Sequence, residues 1–238
     1  MKKFLNCLVL VAIILAGAGT ASAATYGLLL GGEADSDGQG YAYTGLMAEQ
    51  QIAGGVSLLG KVWFDYLAYR FEKNQAPVRA KAPAIVPAVG FKYSGVNWYT
   101  SIWGGWERRN TVIKPTEADV GVKGVTDSAV VQWEGALRLE TATYLEVLVS
   151  YSTKNDYFWS RGRAKQELDP VSTGGYPLRL GVEVVGQGNK DYQALQVGPV
   201  AELLTLNRSI SLIVHGGYKH SSSFNGSGYG GIELYIGF

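Results

Sequence analysis

The segment Tyr229 to Phe238 reads YGGIELYIGF, with Ile232, Leu234, Ile236 and Phe238 at every second position and Gly231, Glu233, Tyr235 and Gly237 between them. Side chains alternate across a strand, so this stretch carries an oily stripe on one face and mixed or polar groups on the other. The pattern is that of the closing strand of an outer-membrane barrel, although a soluble sandwich can end the same way. The other end of the chain separates the two. Lys2 and Lys3 precede an apolar run, Phe4 to Ala18, broken only by Asn6, and Ala21-Ser22-Ala23 supplies small residues for cleavage. This is a secretory leader, with cleavage expected after Ala23 and Ala24 as the mature start. Cys7, the single cysteine, falls inside the leader behind Asn6, a poor context for lipidation. The mature chain is therefore expected to lack zinc-thiolate and cysteine-nucleophile chemistry.

Composition narrows the class. The chain has 32 Gly, 15 Tyr and 6 Trp, with 17% charged residues and a formal net charge of +1, so it offers no field that would gather nucleic acid. After the leader there is no apolar run near the roughly 20 residues a membrane helix needs. A chain that enters lipid without helices must close its sheet, because every backbone N–H and C=O has to be paired there.

The mature region divides into stretches of about ten residues, the length at which a tilted strand crosses a bilayer. They are read at 24–33, 40–49, 56–70, 82–93, 97–108, 129–140, 144–154, 157–168, 178–187, 191–203, 209–220 and 229–238. Pro83 and Pro87 make 82–93 the weakest of them. Most of one set of connections is tight, while Ala34–Gln39, Phe71–Lys81 and Arg109–Ser128 of the other set read as long polar loops. The sequence thus predicts an all-β fold, an antiparallel transmembrane β-barrel of about twelve strands, with ten or fourteen as the alternatives, as one domain over 24–238 after the leader 1–23.

Alternation also assigns the lumen. Val131, Trp133, Leu137 and Leu139 share one face and Gln132, Glu134, Arg138 and Glu140 the other; Leu178, Leu180, Val182 and Val184 face lipid while Arg179, Glu183 and Gln187 face inward. Tyr192, Gln196, Glu202, His215, Lys219 and Glu233 join the interior. A charge on lipid at the midplane costs about 2–4 kcal/mol, which sends these groups inside without saying what they do. Two readings stand: charges that pair across the lumen and hold its shape, or a ligand or permeation path. Trp63, Trp98, Trp106, Trp133 and Trp159 fit interfacial girdles, with a sugar-stacking groove as the other reading.

Few constellations carry chemistry. His220, Ser222 and Glu233 offer a base, a hydroxyl and a carboxylate, and their spacing resembles outer-membrane lipid A deacylases; the same residues also read as a plain hairpin tip and strand. Two histidines do not make a transition-metal set, and Glu33 to Gly38 lacks the remaining ligands of a calcium loop, so neither metal nor cofactor is expected.

Four segments, GGEADSDGQGYAYTG (31–45), YFWSRGR (157–163), LGVEVVGQGNKDYQALQVG (180–198) and GYGGIELYIGF (228–238), resemble the BcsS family of cellulose biosynthesis proteins. The resemblance implies a barrel-like accessory protein of cellulose or related exopolysaccharide production, in the outer membrane of a Gram-negative bacterium, with no catalytic residues to carry over. It points to Trp159, Arg161, Arg163, Arg179, Glu183, Gln187, Asp191, Tyr192 and Gln196 as a glycan-contact or lumen patch. The implied partners are outer-membrane lipid, cellulose or a related glucan, and polysaccharide secretion proteins. A small pore or a purely structural barrel remains the other reading.

Overall fold

A computed structural model describes residues 24–73, 76–115, 123–154, 156–168, 177–190, 192–205, 209–223 and 226–238. The leader and its cleavage site, Asp191, and parts of several connections lie outside these residues. Twelve strands follow one another: β1 (Thr25–Asp35), β2 (Gly40–Ala53), β3 (Val56–Lys73), β4 (Ala76–Ser94), β5 (Trp98–Lys114), β6 (Gly124–Arg138), β7 (Thr143–Ser152), β8 (Tyr157–Glu167), β9 (Leu178–Gly188), β10 (Gln193–Thr205), β11 (Ile210–Ser221) and β12 (Ser227–Gly237). Each pairs antiparallel with its neighbours, and β1 pairs with β12, closing the barrel. The seam is tied at its end by reciprocal bonds, Tyr26 N–H to Phe238 O and Phe238 N–H to Tyr26 O, both 2.9 Å. No free sheet edge remains, which is the condition a sheet must meet to enter lipid.

The exterior follows the alternation. Ile232 on β12, Val182 and Val184 on β9, and Val131 and Trp133 on β6 are all exposed, while Glu233, Glu183 and Ser128 on the same strands are buried. The inner and outer faces are therefore assigned as the sequence predicts for β6, β9 and β12.

β4 and β5 are much longer than expected, and most of the described residues of the predicted loops Phe71–Lys81 and Arg109–Ser128 lie in strands. The alternation does not stop at the apolar band; its sign inverts. Near the far ends of β3, β4 and β5 apolar side chains turn inward, Val78, Ala80 and Ile113 packing with Tyr69 and Phe71, while Arg70, Arg79, Lys81 and Lys114 stand outward. A search for apolar groups facing lipid reads such a stretch as loop. The prolines do not break β4. Its ladder to β3 is continuous, and only the ladder to β5 skips the positions around Pro83 and Pro87, whose missing N–H groups account for the gaps.

Tryptophan placement divides. Trp98, Trp106 and Trp133 take outward positions, as a girdle requires, but Trp63 and Trp159 point inward, against that expectation. Trp63 pairs with Gly45, its ring lying over the glycine where any Cβ would collide.

The barrel predicts a sharp asymmetry between faces. Val182→Arg, on the exterior at mid-strand, should destabilise by about 2–4 kcal/mol in urea unfolding from lipid vesicles, with the heat-modifiable gel shift lost at lower denaturant.

Candidate functional site

The inward face of β8 carries Tyr157, Trp159, Arg161, Arg163, Lys165 and Glu167 in one row. Its centre is Arg163, opposite Glu183 on β9. Arg163 Nε donates to Glu183 Oε2 at 2.6 Å, and Nη2 donates across the lumen to Glu233 Oε1 on β12 at 2.6 Å. Arg161 Nη1 donates to the same Glu233 oxygen at 2.8 Å. His215 Nδ1 lies 2.9 Å from Glu183 Oε1 and its Nε2 3.7 Å from Glu233 Oε1. Glu183 is 0% exposed and Arg163 4%. Room for this cluster comes from Gly231 and Gly31, whose missing Cβ atoms leave the space taken by the His215 and Tyr43 rings.

Further tiers stack on either side. Toward the chain termini, Lys165 bridges Glu146 at 2.6 Å and Glu202 at 2.7 Å. Arg179 reaches Glu167 at 3.0 Å and Glu202 at 3.1 Å, with its guanidinium 3.6 Å from the Tyr144 ring centre. Toward the other end, Lys219 holds Asp35 at 2.7 Å, and Gln196 Nε2 donates to Glu33 Oε1 at 2.6 Å. Asp35 Oδ1 also accepts the N–H groups of Asp37 and Gln39, so the acidic stretch near Gly38 is organised as a turn. On the opposite wall Arg109 pairs with Asp65 at 2.9 Å and Glu107 at 3.0 Å, and Lys61 lies 4.3 Å over the Trp103 ring.

The residues expected to form one patch therefore separate into two. Arg161, Arg163, Arg179 and Glu183 are consumed by ion pairs, and Gln196 by Glu33. Trp159, Gln187 and Tyr192 lie near the mouth away from the termini, where Tyr157 Oη donates to Gln187 Oε1 at 2.9 Å and the buried Tyr192 hydroxyl stands beside Lys219. Asp191 is outside those residues.

The hydrolase arrangement is not assembled. His220 is on the outward face of β11, whereas Glu233 is inward and paired with Ile213, seven positions earlier than His220 on that strand. At about 3.3 Å per residue this separates base and carboxylate by more than 20 Å along the wall. Ser222 Oγ accepts the Gln193 N–H at 3.0 Å.

Sequence reasoning passed over Lys61, Asp65, Arg109 and Lys165. Lys61-Val62-Trp63-Phe64-Asp65 carries the signal, since its polar positions share one parity. A cavity of about 60 Å³ near the termini, lined in part by Tyr26, Met47, Glu49 and Tyr235, has room for a few waters and is too small for a sugar ring.

Charge arithmetic makes the central cluster testable. Glu233→Leu leaves Arg161 and Arg163 facing Glu183 alone and should cost about 3–5 kcal/mol. Adding Arg161→Met restores one cation to one carboxylate and should recover most of the loss, as read by tryptophan fluorescence during urea unfolding.

Comparison with known proteins agrees with the architecture. Residues 18–238 match the model of a family described as cellulose biosynthesis protein BcsS. An outer membrane channel from Pseudomonas putida F1 is similar at 10% identity and TM-score 0.58, covering 90% of this chain and 95% of that one. The beta domain of the Bordetella autotransporter Brka is similar at 14% identity and TM-score 0.50, covering 90% and 98%, and the KdgM porin at 9% and 0.50, covering 89% and 99%. No protein of curated function matches the chain. At these identities the solved structures establish an outer-membrane barrel fold and nothing of function, while the match along nearly the whole sequence is specific: the chain belongs to the BcsS family of cellulose biosynthesis proteins.

Proposed function

We propose that this protein is a non-catalytic accessory component of bacterial cellulose production, seated in the outer membrane of a Gram-negative cell after loss of the leader 1–23. In this reading it contacts the glucan, or the glucan together with a secretion partner, at the barrel mouth. Trp159, Gln187 and Tyr192 are the contact residues, with Asp191 beside them in sequence. The family supports the process, and the barrel fold supports the membrane.

One observation carries the choice of contact over conduction: Arg161 and Arg163 on β8 meet Glu233 on β12, four strands round the barrel. A polymer could pass only by opening buried charge pairs, and a single opened pair leaves uncompensated charge costing several kcal/mol. The rim has what a neutral glucan needs, namely aromatic faces, an amide and a phenol. The Arg161 guanidinium 5.5 Å from the Trp159 ring centre holds that ring against the wall.

The paired charges favour a second reading in which the whole lumen is structural, and the two part at the rim. Trp159→Ala with Tyr192→Ala is expected to lower retention of the purified barrel on amorphous cellulose roughly three- to tenfold, the size of a lost aromatic contact or two. Polymer yield of the producing strain should fall with it, while heat-modifiable migration stays intact. Unchanged retention and yield in a folded variant would leave only the structural role. Planar-bilayer conductance is expected to stay near the baseline.

A further inference from the structure

The wall formed by β3, β4 and β5 carries a row of like charges on its exterior. Arg70 is directly opposite Arg79, and Arg79 directly opposite Lys114. Lys81 follows Arg79 on the same face, between Ala68 and Val112. Opposed positions bring Cβ atoms to about 4.5–5.5 Å, where like charges destabilise a sheet, so the fold alone gains nothing from the row. Among the side chains the structure describes, none forms an ion pair with these four cations, in contrast to Arg108 lower on the same face, which reaches Asp127 at 3.5 Å. Four cations gathered on one outward face make this stretch of the wall strongly positive. The Arg70 guanidinium lies against the turn at Gly38, and its Nε is buried with no hydrogen-bond partner among the described residues.

The height of the row identifies what it meets. Outward residues from Val56 to Tyr66 on β3 span about 25 Å at about 3.3 Å per residue and a tilt near 40°, the depth of an apolar band. Arg70 follows Tyr66 by four residues, about 10 Å higher. The headgroup layer extends roughly 5–8 Å beyond the hydrocarbon, and long cationic side chains reach down into it. The row stands at the end of the barrel away from the termini, on the exterior wall, continuous with exposed Phe64 and Tyr66 below it. A ligand seated there has acyl chains beneath and anionic groups at the row; a neutral glucan gains nothing from it.

We propose that Arg70, Arg79, Lys81 and Lys114 form a binding site for the phosphate groups of lipopolysaccharide, whose acyl chains pack on the adjacent apolar face. The inference rests on the outer-membrane reading, with this end of the barrel in the outer leaflet. The test uses the full mature barrel in detergent micelles and purified lipopolysaccharide, intact or enzymatically dephosphorylated. Arg70→Gln/Arg79→Gln/Lys114→Gln should weaken binding of the intact lipid on the order of ten- to a hundredfold, given roughly fivefold for each basic residue near an anionic surface and partial screening. Dephosphorylated lipopolysaccharide should bind the original barrel as weakly. Arg70→Lys/Arg79→Lys should retain binding. Because the glutamine variant relieves like-charge opposition, it should fold at least as well, which heat-modifiable migration checks. Equal affinity of the variant, equal affinity for the dephosphorylated lipid, or equally strong competition by an anionic polysaccharide without acyl chains overturns the site. Absence of the protein from the outer-membrane fraction overturns the reading beneath it instead, so the two failures are distinguishable.

Discussion

Closure of β1 on β12 is the constraint from which the rest of the structure follows. A sheet edge in hydrocarbon would strand a row of backbone donors and acceptors at several kcal/mol each. Register from Gly27 opposite Gly237 to Asp35 opposite Tyr229 removes that edge. Once closed, the cylinder has only two faces, and alternation forces each polar side chain within the apolar band into the lumen. The charged interior is thus a consequence of closure. Its cost is met by pairing: Arg163 faces two carboxylates, Glu233 two guanidinium groups, and Lys165 both Glu146 and Glu202.

Most of this was legible in the sequence because the side-chain period is two and the band is apolar. The strand count and the inward positions of Arg161, Arg163, Arg179, Glu183, Gln187 and Gln196 follow from parity alone. Parity could not tell whether those groups wait for a ligand or already have partners. That depends on which strands come together across the lumen. Arg163 and Glu233 are 70 residues apart in sequence, and nothing local to either announces the other. Trp63 shows the same limit: its composition suits a girdle, but its register with Gly45 turns it inward.

The failures above the band have a different physical origin. Alternation persists through 77–82 and to the end of β5, but the solvent on the outside has changed from lipid to water, and at Arg79, Lys81 and Lys114 the outward positions become charged. Val78, Ala80 and Ile113 then look like mispatterned loop residues unless the reader allows the barrel wall to continue as a sheet whose apolar face is turned inward. Prolines reinforced the error. A proline is tolerated when its missing N–H falls on one ladder only, and Pro83 and Pro87 each leave the β3 side intact.

The polar chemistry of the molecule is sorted by depth. Within the band, unpaired charge is too costly to persist, so every cation described there has an acid or an aromatic face: Lys61 lies over Trp103, and Lys92 reaches Glu49 at 2.8 Å. Above the band water lowers that cost, and unsatisfied groups can survive until a ligand takes them. The Tyr192 hydroxyl lies inside the mouth and the Arg70–Arg79–Lys114 row outside it, and they differ in kind: an uncharged phenol near Trp159 and Gln187, and a positive row above an apolar wall. A neutral polymer and a phosphorylated lipid answer to those two chemistries separately. A barrel that presents both can therefore hold its place in the leaflet by one surface while working at the other, with the ion-paired lumen keeping the two in fixed register.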